Sequence, residues 1–456
     1  MGLRPEDLGA PAFRQDHGVR YAYVAGSMYK GIASVDMVVR MARAGLLGYL
    51  GAGGMKAERL RADLARIGEQ LPGDAAFGVN LLCNLMHPDE EERTVDIFLE
   101  HRIRRIEAAA FMQMTPALVR YRVRGLKRLP DGSIASSHKV LSKVSRPEVA
   151  EQFLSPPPER VLRRLVETRA VSPTDAQLAE SIPMSDDVCV EADSGGHTDN
   201  GVAYALMPAM LLLRDRVVER HGYGVPVRVG AAGGLGTPHA IAAAFVLGAD
   251  FVLTGSVNQC TVEGGISDSA KDLLQQANVQ DTTMVPAGDM FEIGARAQVL
   301  KRGLFFPARA NKLYELYRQH GSWEEIDEAT RRQIETKYFR KSVDEVWAET
   351  EHYYRRAAPA EIEKARTNPK HKLALIFRWY FVHTARLALG GDDAQRVDYQ
   401  IHCGPALGAF NQWVLGTPLE DWRNRHVDDI AERLMRGAAA WLDERIAAWA
   451  PTGRAG

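Results

Sequence analysis

The sequence predicts an α/β protein, a (β/α)8 barrel with an additional C-terminal helical region. Eight short apolar runs recur along the first two thirds of the chain, helical patterns lie between them, and strand signals end near residue 310. Most of the runs are continuously apolar, which is typical of strands covered on both faces. A doubly wound sheet has the same alternation of strands and helices, so the count of eight is what favours the barrel.

The predicted strands are spaced so that a helix can follow most of them. In chain order they are residues 21–26, 47–52, 77–82, 105–111, 139–144, 187–192, 227–232 and 251–256. Helical patterns are clearest at 34–44, 201–221 and 237–247. Ser34 and Thr237 are residue types that cap a helix N-terminus, which supports the first and last of these helices.

Two domains are expected. The barrel is predicted over residues 14–310, with a basic, turn-rich insertion near 117–138 and a second insertion near 146–183. The first insertion suggests a β-hairpin or loop, and the second contains three consecutive prolines and a charged helix. Residues 311–456 are charged, aromatic-rich and helical in period, and they contain all seven tryptophans.

Composition excludes several classes of protein. The chain has 456 residues, a formal net charge of −1 and 46% apolar residues, so no basic excess points to nucleic acid. No apolar run is long enough to span a membrane, and the first residues lack the apolar core of a secretory signal. Four scattered cysteines do not form a disulfide framework or a zinc cluster. We therefore expect a cytoplasmic enzyme without a metal site.

The ends of the seventh and eighth predicted strands suggest a phosphate site. Gly233 and Gly234 follow the seventh strand, and Gly255 and Ser256 follow the eighth. Glycines let the backbone approach an anion, and in barrels these two loops often bind a phosphate together. The alternative is a pair of tight turns without a ligand.

The end of the sixth strand carries a histidine among small residues. The run reads Glu-Ala-Asp-Ser-Gly-Gly-His over 191–197, so His197 lies at the rim where barrel chemistry takes place. A histidine can donate a proton near neutral pH. The alternative is a loop histidine held by Asp199.

Three further strand ends carry candidate binding residues. Gly26, Ser27 and Met28 form a small-residue end to the first strand that could pack under a planar ring. Asn80 in the third strand offers an amide donor and acceptor for the edge of a heterocycle, or it caps the next turn. Lys143 in the fifth strand requires a charge partner if it points inward, or else it is exposed at the rim.

Together these segments resemble the nitronate monooxygenase (2-nitropropane dioxygenase-like) superfamily, and more closely its PfaD-like enoyl reductases, which act in trans on polyketide and polyunsaturated fatty acid synthases. The segments that carry the resemblance are Gly-Val-Asn-Leu (78–81), Lys-Val-Ser-Arg-Pro-Glu (143–148), Glu-Ala-Asp-Ser-Gly-Gly-His-Thr-Asp (191–199) and Ala-Gly-Gly-Leu-Gly (232–236). The first strand ends in Ala-Gly-Ser-Met, where nitronate enzymes commonly have Ala-Pro-Met.

The resemblance implies a TIM barrel that binds FMN. Residue by residue, it places Gly26, Ser27 and Met28 along the isoalloxazine ring and Asn80 and Lys143 at its polar edge. Beside the ring or ribityl chain it places Asp193, Gly195 and Gly196. Around the phosphate it places Gly233, Gly234, Gly255 and Ser256.

The resemblance also implies a reaction. Hydride would pass from NADPH by way of FMN to the β-carbon of a 2-enoyl thioester on an acyl carrier protein. His197 is the candidate to bind the thioester oxygen or protonate the α-carbon, and Lys143 the candidate to stabilise negative charge on the flavin. Arg120, Arg122 and the basic residues after them are candidates for docking the acidic carrier protein.

Two other functions stay open. A nitronate monooxygenase-type flavin oxygenase would use the same site, and a non-catalytic synthase partner would bind no flavin. By analogy with barrel flavoproteins of this size, a homodimer is also expected.

Overall fold

The computed structural model describes residues 2–84, 87–224 and 227–449, and these form two compact units. Unit 1 contains the described residues of 1–194, 199–265 and 412–456, and unit 2 contains 195–198 and 266–411. This division differs from the single boundary expected near residue 310. The chain leaves unit 1 at the end of the barrel, and its last segment returns to unit 1.

The strands of the described residues include all eight predicted ones. In chain order they are β1 (Tyr23–Ala25), β2 (Leu47–Leu50), β3 (Phe77–Leu82), β4 (Arg105–Ala109), β5 (Lys127–Arg128), β6 (Ile134–Ala135), β7 (Lys139–Val144), β8 (Asp187–Glu191), β9 (Gly196–His197), β10 (Arg228–Ala232), β11 (Val252–Thr254), β12 (Thr282–Pro286) and β13 (Arg296–Leu300).

The helices alternate with the barrel strands and then dominate the rest of the chain. They are α1 (Pro11–His17), α2 (Val35–Arg43), α3 (Ala57–Gln70), α4 (Pro88–Glu100), α5 (Pro116–Val123), α6 (Pro147–Leu154), α7 (Glu159–Glu167), α8 (Pro173–Ala179), α9 (Ala203–His221), α10 (Pro238–Val246), α11 (Ser256–Gln259), α12 (Asp268–Leu274), α13 (Phe306–Gln319), α14 (Glu328–Gln333), α15 (Val343–Ala357), α16 (Pro359–Thr367), α17 (Pro369–Gly390), α18 (Pro405–Trp413) and α19 (Val427–Trp449). The shorter helical turns are Pro5–Asp7, Tyr29–Gly31, Ile334–Phe339, Asp393–Asp398, Pro418–Glu420 and Trp422–Asn424.

Unit 1 is a closed parallel barrel, which confirms the predicted fold class. Its strands follow the order β1-β11-β10-β8-β7-β4-β3-β2 around the barrel. The predicted caps are present, because Ser34 accepts a hydrogen bond from the amide of Met37 and Thr237 from that of Ala240. Helix α1 adds Phe13 to the barrel interior, where its ring stacks on that of Phe251.

The two predicted insertions are more helical than expected. The segment 117–138 begins inside helix α5, and only its second half forms the predicted hairpin, from β5 and β6. Three helices, α6, α7 and α8, occupy 146–183. The sequence pattern did not predict helix α5, because its basic residues interrupt the apolar positions through which the helix packs.

Unit 2 combines a small antiparallel sheet with helices. Its sheet has the order β12-β13-β9, and helices α12 to α17 belong to the same unit. Its core is aromatic: Phe291 packs against Phe381 with ring centroids 5.5 Å apart, and Phe306 and Tyr380 stack at 6.0 Å. The predicted helical region was drawn to residue 456, of which 450–456 lie outside the described residues.

No helix within the described ranges combines the length and the apolar composition that crossing a bilayer requires.

Candidate active site

Three of the predicted strand ends meet on one side of the barrel mouth. Strand β1 pairs with β11, and β11 pairs with β10. The amide of Gly26 donates to the carbonyl oxygen of Thr254 at 2.9 Å, which joins the ends of β1 and β11. The segments 26–28, 232–234 and 254–256 are therefore neighbours, as the predicted flavin site requires.

Two glycines in these segments border open space. Within the described residues, a Cβ built on Gly234 or on Gly255 would meet no atom within 4 Å beyond those of its own chain neighbours. Gly233 and Gly234 also have positive φ values of 87° and 73°, which L side chains rarely adopt. The short helix α11 begins at Ser256, immediately after Gly255. The open space beside these glycines leaves room for the phosphate that the sequence predicts here.

A cluster of charged side chains lies on the strands across the barrel. Lys143 on β7 places its Nζ 3.2 Å from Glu191 Oε1 on β8 and 3.8 Å from Glu107 Oε1 on β4. The Glu107 side chain is fully buried, and that of Lys143 is 16% exposed. Lys143 is therefore neither unpaired in the core nor freely exposed at the rim, and its partners are two carboxylates of the protein.

Burial and charge act in opposite directions on this cluster. Burial alone would lower the pKa of Lys143, but Glu191 and Glu107 outweigh it and raise the pKa. Burial raises the pKa of Glu107, although Lys143 and two hydrogen bonds from Ser27 partly oppose the shift. Lys143 is thus held as a cation, and Glu107 is the carboxylate here that gains a proton more readily than usual.

Two other predicted site residues contact the same cluster. The amide and hydroxyl of Ser27 donate to Glu107 Oε2 and Oε1 at 3.0 and 2.5 Å. The side-chain amide of Asn80, which is buried, donates to the carbonyl oxygen of Glu107 at 3.1 Å. The structure thus brings together Ser27, Asn80 and Lys143, while Met28 follows Ser27 in a half-buried position.

The loop after β8 divides between the two units. Asp193 belongs to unit 1, where its Oδ1 accepts a hydrogen bond from Asn200 at 2.9 Å. Gly195, Gly196 and His197 belong to unit 2, where Gly196 and His197 form strand β9 and pair with β13.

Within unit 2, His197 has a carboxylate partner that the sequence did not suggest. Its Nε2 lies 3.0 Å from Asp289 Oδ1, and the His197 side chain is 44% exposed. Burial opposes the ionisation of Asp289, but the hydrogen bond and the charge of His197, together with smaller contributions that include the charge of His402, outweigh burial and lower the pKa of Asp289. The alternative partner, Asp199, instead accepts hydrogen bonds from Ser145 and Arg146.

The basic segment near 120 is only partly exposed. Arg122 is buried and pairs with Asp186 at 2.6 Å, and Arg120 pairs with Asp96 at 2.7 Å. The exposed basic residues that follow lie around the β5–β6 hairpin. This hairpin joins α5 to the start of β7, so it lies at the N-terminal end of the barrel strands. Active sites of such barrels form at the opposite end. The burial of Arg122 contradicts the docking prediction for that residue, and for Arg120 and the hairpin docking stays a prediction.

Sequence reasoning missed Glu107, and it missed the role of Asp289. Glu107 carried a usable signal, since it is a carboxylate at the centre of an otherwise apolar strand, Ile-Glu-Ala-Ala over 106–109. Asp289 belongs to the run Asp-Met-Phe-Glu over 289–292, which also resembles the PfaD-like enoyl reductases, but this run gave no signal of the pairing with His197, because the two residues are distant in sequence and meet through the pairing of β9 with β13.

Comparison with known proteins identifies the family. Residues 12–310 match the model of the nitronate monooxygenase family, and the chain belongs to this family. Residues 320–399 match a second model, described as the inserted helical domain of acyl-carrier-protein S-malonyltransferase.

Two similar proteins are named for polyketide and polyunsaturated fatty acid biosynthesis. The chain is 54% identical to polyketide biosynthesis protein PksE of Bacillus subtilis, over 98% of this chain and 58% of that protein. It is 42% identical to a polyunsaturated fatty acid synthase component of Thraustochytrium sp., over 91% of this chain and 28% of that protein. The chain therefore spans less than two thirds of the length of these relatives.

A solved structure matches nearly the whole chain. The enoyl reductase domain of MlnA, from the macrolactin biosynthesis cluster of Bacillus amyloliquefaciens, superposes with a TM-score of 0.94 at 41% identity. The match covers 97% of this chain and 99% of that domain. Family and structure together confirm the predicted resemblance and indicate an oxidoreductase.

Proposed function

We propose that this chain is an FMN-dependent, trans-acting enoyl reductase that uses NAD(P)H to reduce the 2,3 double bond of an enoyl thioester on an acyl carrier protein. The pathway class is polyketide or fatty acid biosynthesis. The observation that carries the proposal is the similarity to the MlnA enoyl reductase domain, at 41% identity over nearly the full length of both chains.

The strand ends of unit 1 fit the flavin that this function needs. The open surface at Gly234 and Gly255 suits the phosphate, because a side chain there would fill space that the protein leaves free. Gly26, Ser27 and Met28 would line the ring, and Asn80 and Lys143 would contact its polar edge. A bound flavin would supply a hydride acceptor and donor, which no amino-acid side chain provides.

The protein's own residues would supply charge and a proton. Lys143, held as a cation by Glu107 and Glu191, would stabilise negative charge at the edge of the ring. His197 would donate a hydrogen bond or a proton to the thioester, and Asp289 would keep its ring oriented through the 3.0 Å hydrogen bond. The net reaction consumes NADPH and one proton, adds hydride to the β-carbon and a proton to the α-carbon, and releases NADP⁺.

The carrier-protein partner has two supports. Relatives named as polyketide and polyunsaturated fatty acid synthase components suggest a substrate attached to a synthase. Residues 320–399, which are similar to the inserted helical domain of acyl-carrier-protein S-malonyltransferase, lie in unit 2. We therefore propose unit 2 as the part that receives the carrier or its acyl chain.

The test is a visible spectrum of the purified chain, recorded anaerobically. We expect a flavin band that NADPH bleaches and that crotonyl thioester on a carrier protein restores. A band that returns with oxygen but not with the thioester, together with oxygen consumption on a nitronate, would favour a nitronate monooxygenase-type activity. A colourless protein that takes up no added FMN would refute the proposal and favour a scaffolding role.

A further inference from the structure

Glu107 contacts three of the residues that we assign to the flavin ring, two of them through its buried carboxylate and one through its backbone. Glu107 accepts the amide and hydroxyl hydrogens of Ser27 on its two oxygens and lies 3.8 Å from the Lys143 ammonium. Its carbonyl oxygen accepts the side-chain amide of Asn80. Ser27 follows β1 whereas Glu107 lies on β4, three strands further round the barrel, so the two hydrogen bonds between Ser27 and Glu107 cross the barrel interior.

A purely structural role does not account for Glu107, because burying a carboxylate at this position costs free energy. Its side chain is fully buried, and the barrel interior below it is filled by apolar residues such as Leu141. Replacing a buried ion pair by well-packed apolar residues is often neutral or stabilising. Barrel stability alone therefore does not explain a carboxylate here.

We propose that Glu107 is the positioning residue of the flavin site, because it fixes Ser27 and Lys143 and sets the net charge that the protein presents to the ring. This inference rests on the flavin site of the proposed function. Ser27 is suited to this arrangement because both its amide and its hydroxyl donate to the carboxylate. A proline at this position could donate neither.

The charge balance of the cluster gives the inference its measurable consequence. A single ammonium, that of Lys143, lies between two carboxylates, Glu107 and Glu191. Glu107→Gln keeps the size of the side chain and removes one negative charge. Electrons added to a neighbouring ring then meet less repulsion, so the reduced flavin binds more tightly relative to the oxidised flavin.

The experiment uses the full chain, depleted of flavin and titrated with FMN, followed by a redox titration against a reference dye. For Glu107→Gln we expect the ratio of oxidised to reduced dissociation constants to rise at least tenfold, which is about 30 mV towards positive potential for two electrons. Glu107→Asp retains the charge but shortens the side chain away from Ser27. For this variant we expect weaker binding of oxidised FMN and a visible spectrum shifted from that of the wild type.

A matched control is Asp63→Asn. Asp63 is also a buried carboxylate of unit 1, but it lies on helix α3 and not on a barrel strand, and it pairs with Arg59 at 2.7 Å. The Asp63→Asn variant should have lower thermal stability and an unchanged flavin reduction potential and visible spectrum.

The outcomes separate the two proposals. A wild-type chain that binds no FMN refutes the proposed function and this inference with it. A wild-type chain that binds FMN, with Glu107→Gln at the wild-type potential, overturns the inference alone. If Glu107→Gln does not fold, Glu107→Asp decides, since wild-type affinity and spectrum in that variant would overturn it equally.

Discussion

Replacing Lys143 by methionine should destabilise the barrel, because two carboxylates lose the cation that they share. At an effective dielectric constant of about 20, separations of 3.2 and 3.8 Å correspond to roughly 5 and 4 kcal/mol of attraction. Part of this is offset because the ammonium no longer needs to be buried. Removing one partner of a buried pair typically costs about 3–5 kcal/mol, so we expect the melting temperature at pH 7 to fall by roughly 3–8 °C.

The pH dependence has a definite sign. Without Lys143, the buried carboxyl of Glu107 has a raised pKa in the folded state, so the folded chain binds more protons than the unfolded chain. Stability of the variant relative to the wild type then improves as the pH falls. The assay is thermal unfolding of the full chain between pH 7 and pH 5.

A double variant supplies the control for this prediction. Lys143→Met combined with Glu107→Gln removes the more deeply buried uncompensated charge and should recover more than half of the lost stability. A loss below about 1 kcal/mol for the single variant at pH 7, or no recovery in the double variant, would show that the three groups are not coupled as described. In the flavin-loaded chain the single variant should also lower the reduction potential, and an unchanged potential would remove Lys143 from that role.

Four further predictions follow from other parts of the structure. His197→Ala, folded and flavin-bound, should lose about 10²–10⁴-fold in turnover by steady-state kinetics, and full activity would exclude His197 as the proton donor. Gly255→Val should weaken FMN binding at least tenfold without lowering the melting temperature, since its side chain enters open space. Gly73→Val, at another glycine with open surroundings and without a positive φ, controls for the substitution, and equal affinities in both would refute the phosphate site at Gly255. Asp187→Asn should destabilise the chain above about pH 4, because Arg228 and His17 outweigh burial and lower the pKa of Asp187 in the folded state. The stability that the Asp187 carboxylate contributes is then lost as the pH falls through that lowered pKa, and an acid-unfolding curve unaltered in the variant would contradict this. Arg128→Glu should leave the KM for carrier-bound substrate within about twofold of wild type, because this residue lies at the N-terminal end of the barrel. A KM that rises only for carrier-bound substrate would instead support the hairpin as a docking face.

The barrel was predictable because its strands are determined by local sequence. Each strand, buried on both faces, appears as a continuous apolar run, and the glycines after the seventh and eighth runs mark where the backbone must turn. The caps at Ser34 and Thr237 are equally local, since each bonds an amide three residues ahead. These features depend on neighbours in sequence, and the structure confirms them.

The charged cluster and unit 2 were not predictable in the same way. Lys143 was recognised as needing a partner, but its partners come from the neighbouring strands β4 and β8, and the register of those pairings, which the sequence does not show, decides which residues lie beside it. The pairing of His197 with Asp289 joins residues 92 positions apart through a sheet whose strand β9 has two residues. Such a short strand has no periodicity to detect.

The strand order determines how far the charged groups of the cluster lie from the glycines of the predicted phosphate site. Strand β11, which leads to Gly255, and strand β4, which carries Glu107, are four strands apart whichever way the barrel is followed. Gly255 is therefore diametrically opposite Glu107, the carboxylate that Ser27 and Lys143 stabilise. The second carboxylate of the cluster, Glu191, lies closer to the glycines, because it pairs in register with Ala232 at the end of β10, immediately before Gly233. Lys143, 3.2 Å from Glu191, offsets the charge of that nearer carboxylate, whereas Glu107 is kept from Gly255 by distance. The closed order of the sheet therefore separates Gly255 from Glu107, and the Lys143 ammonium balances the carboxylate that the strand order does not separate.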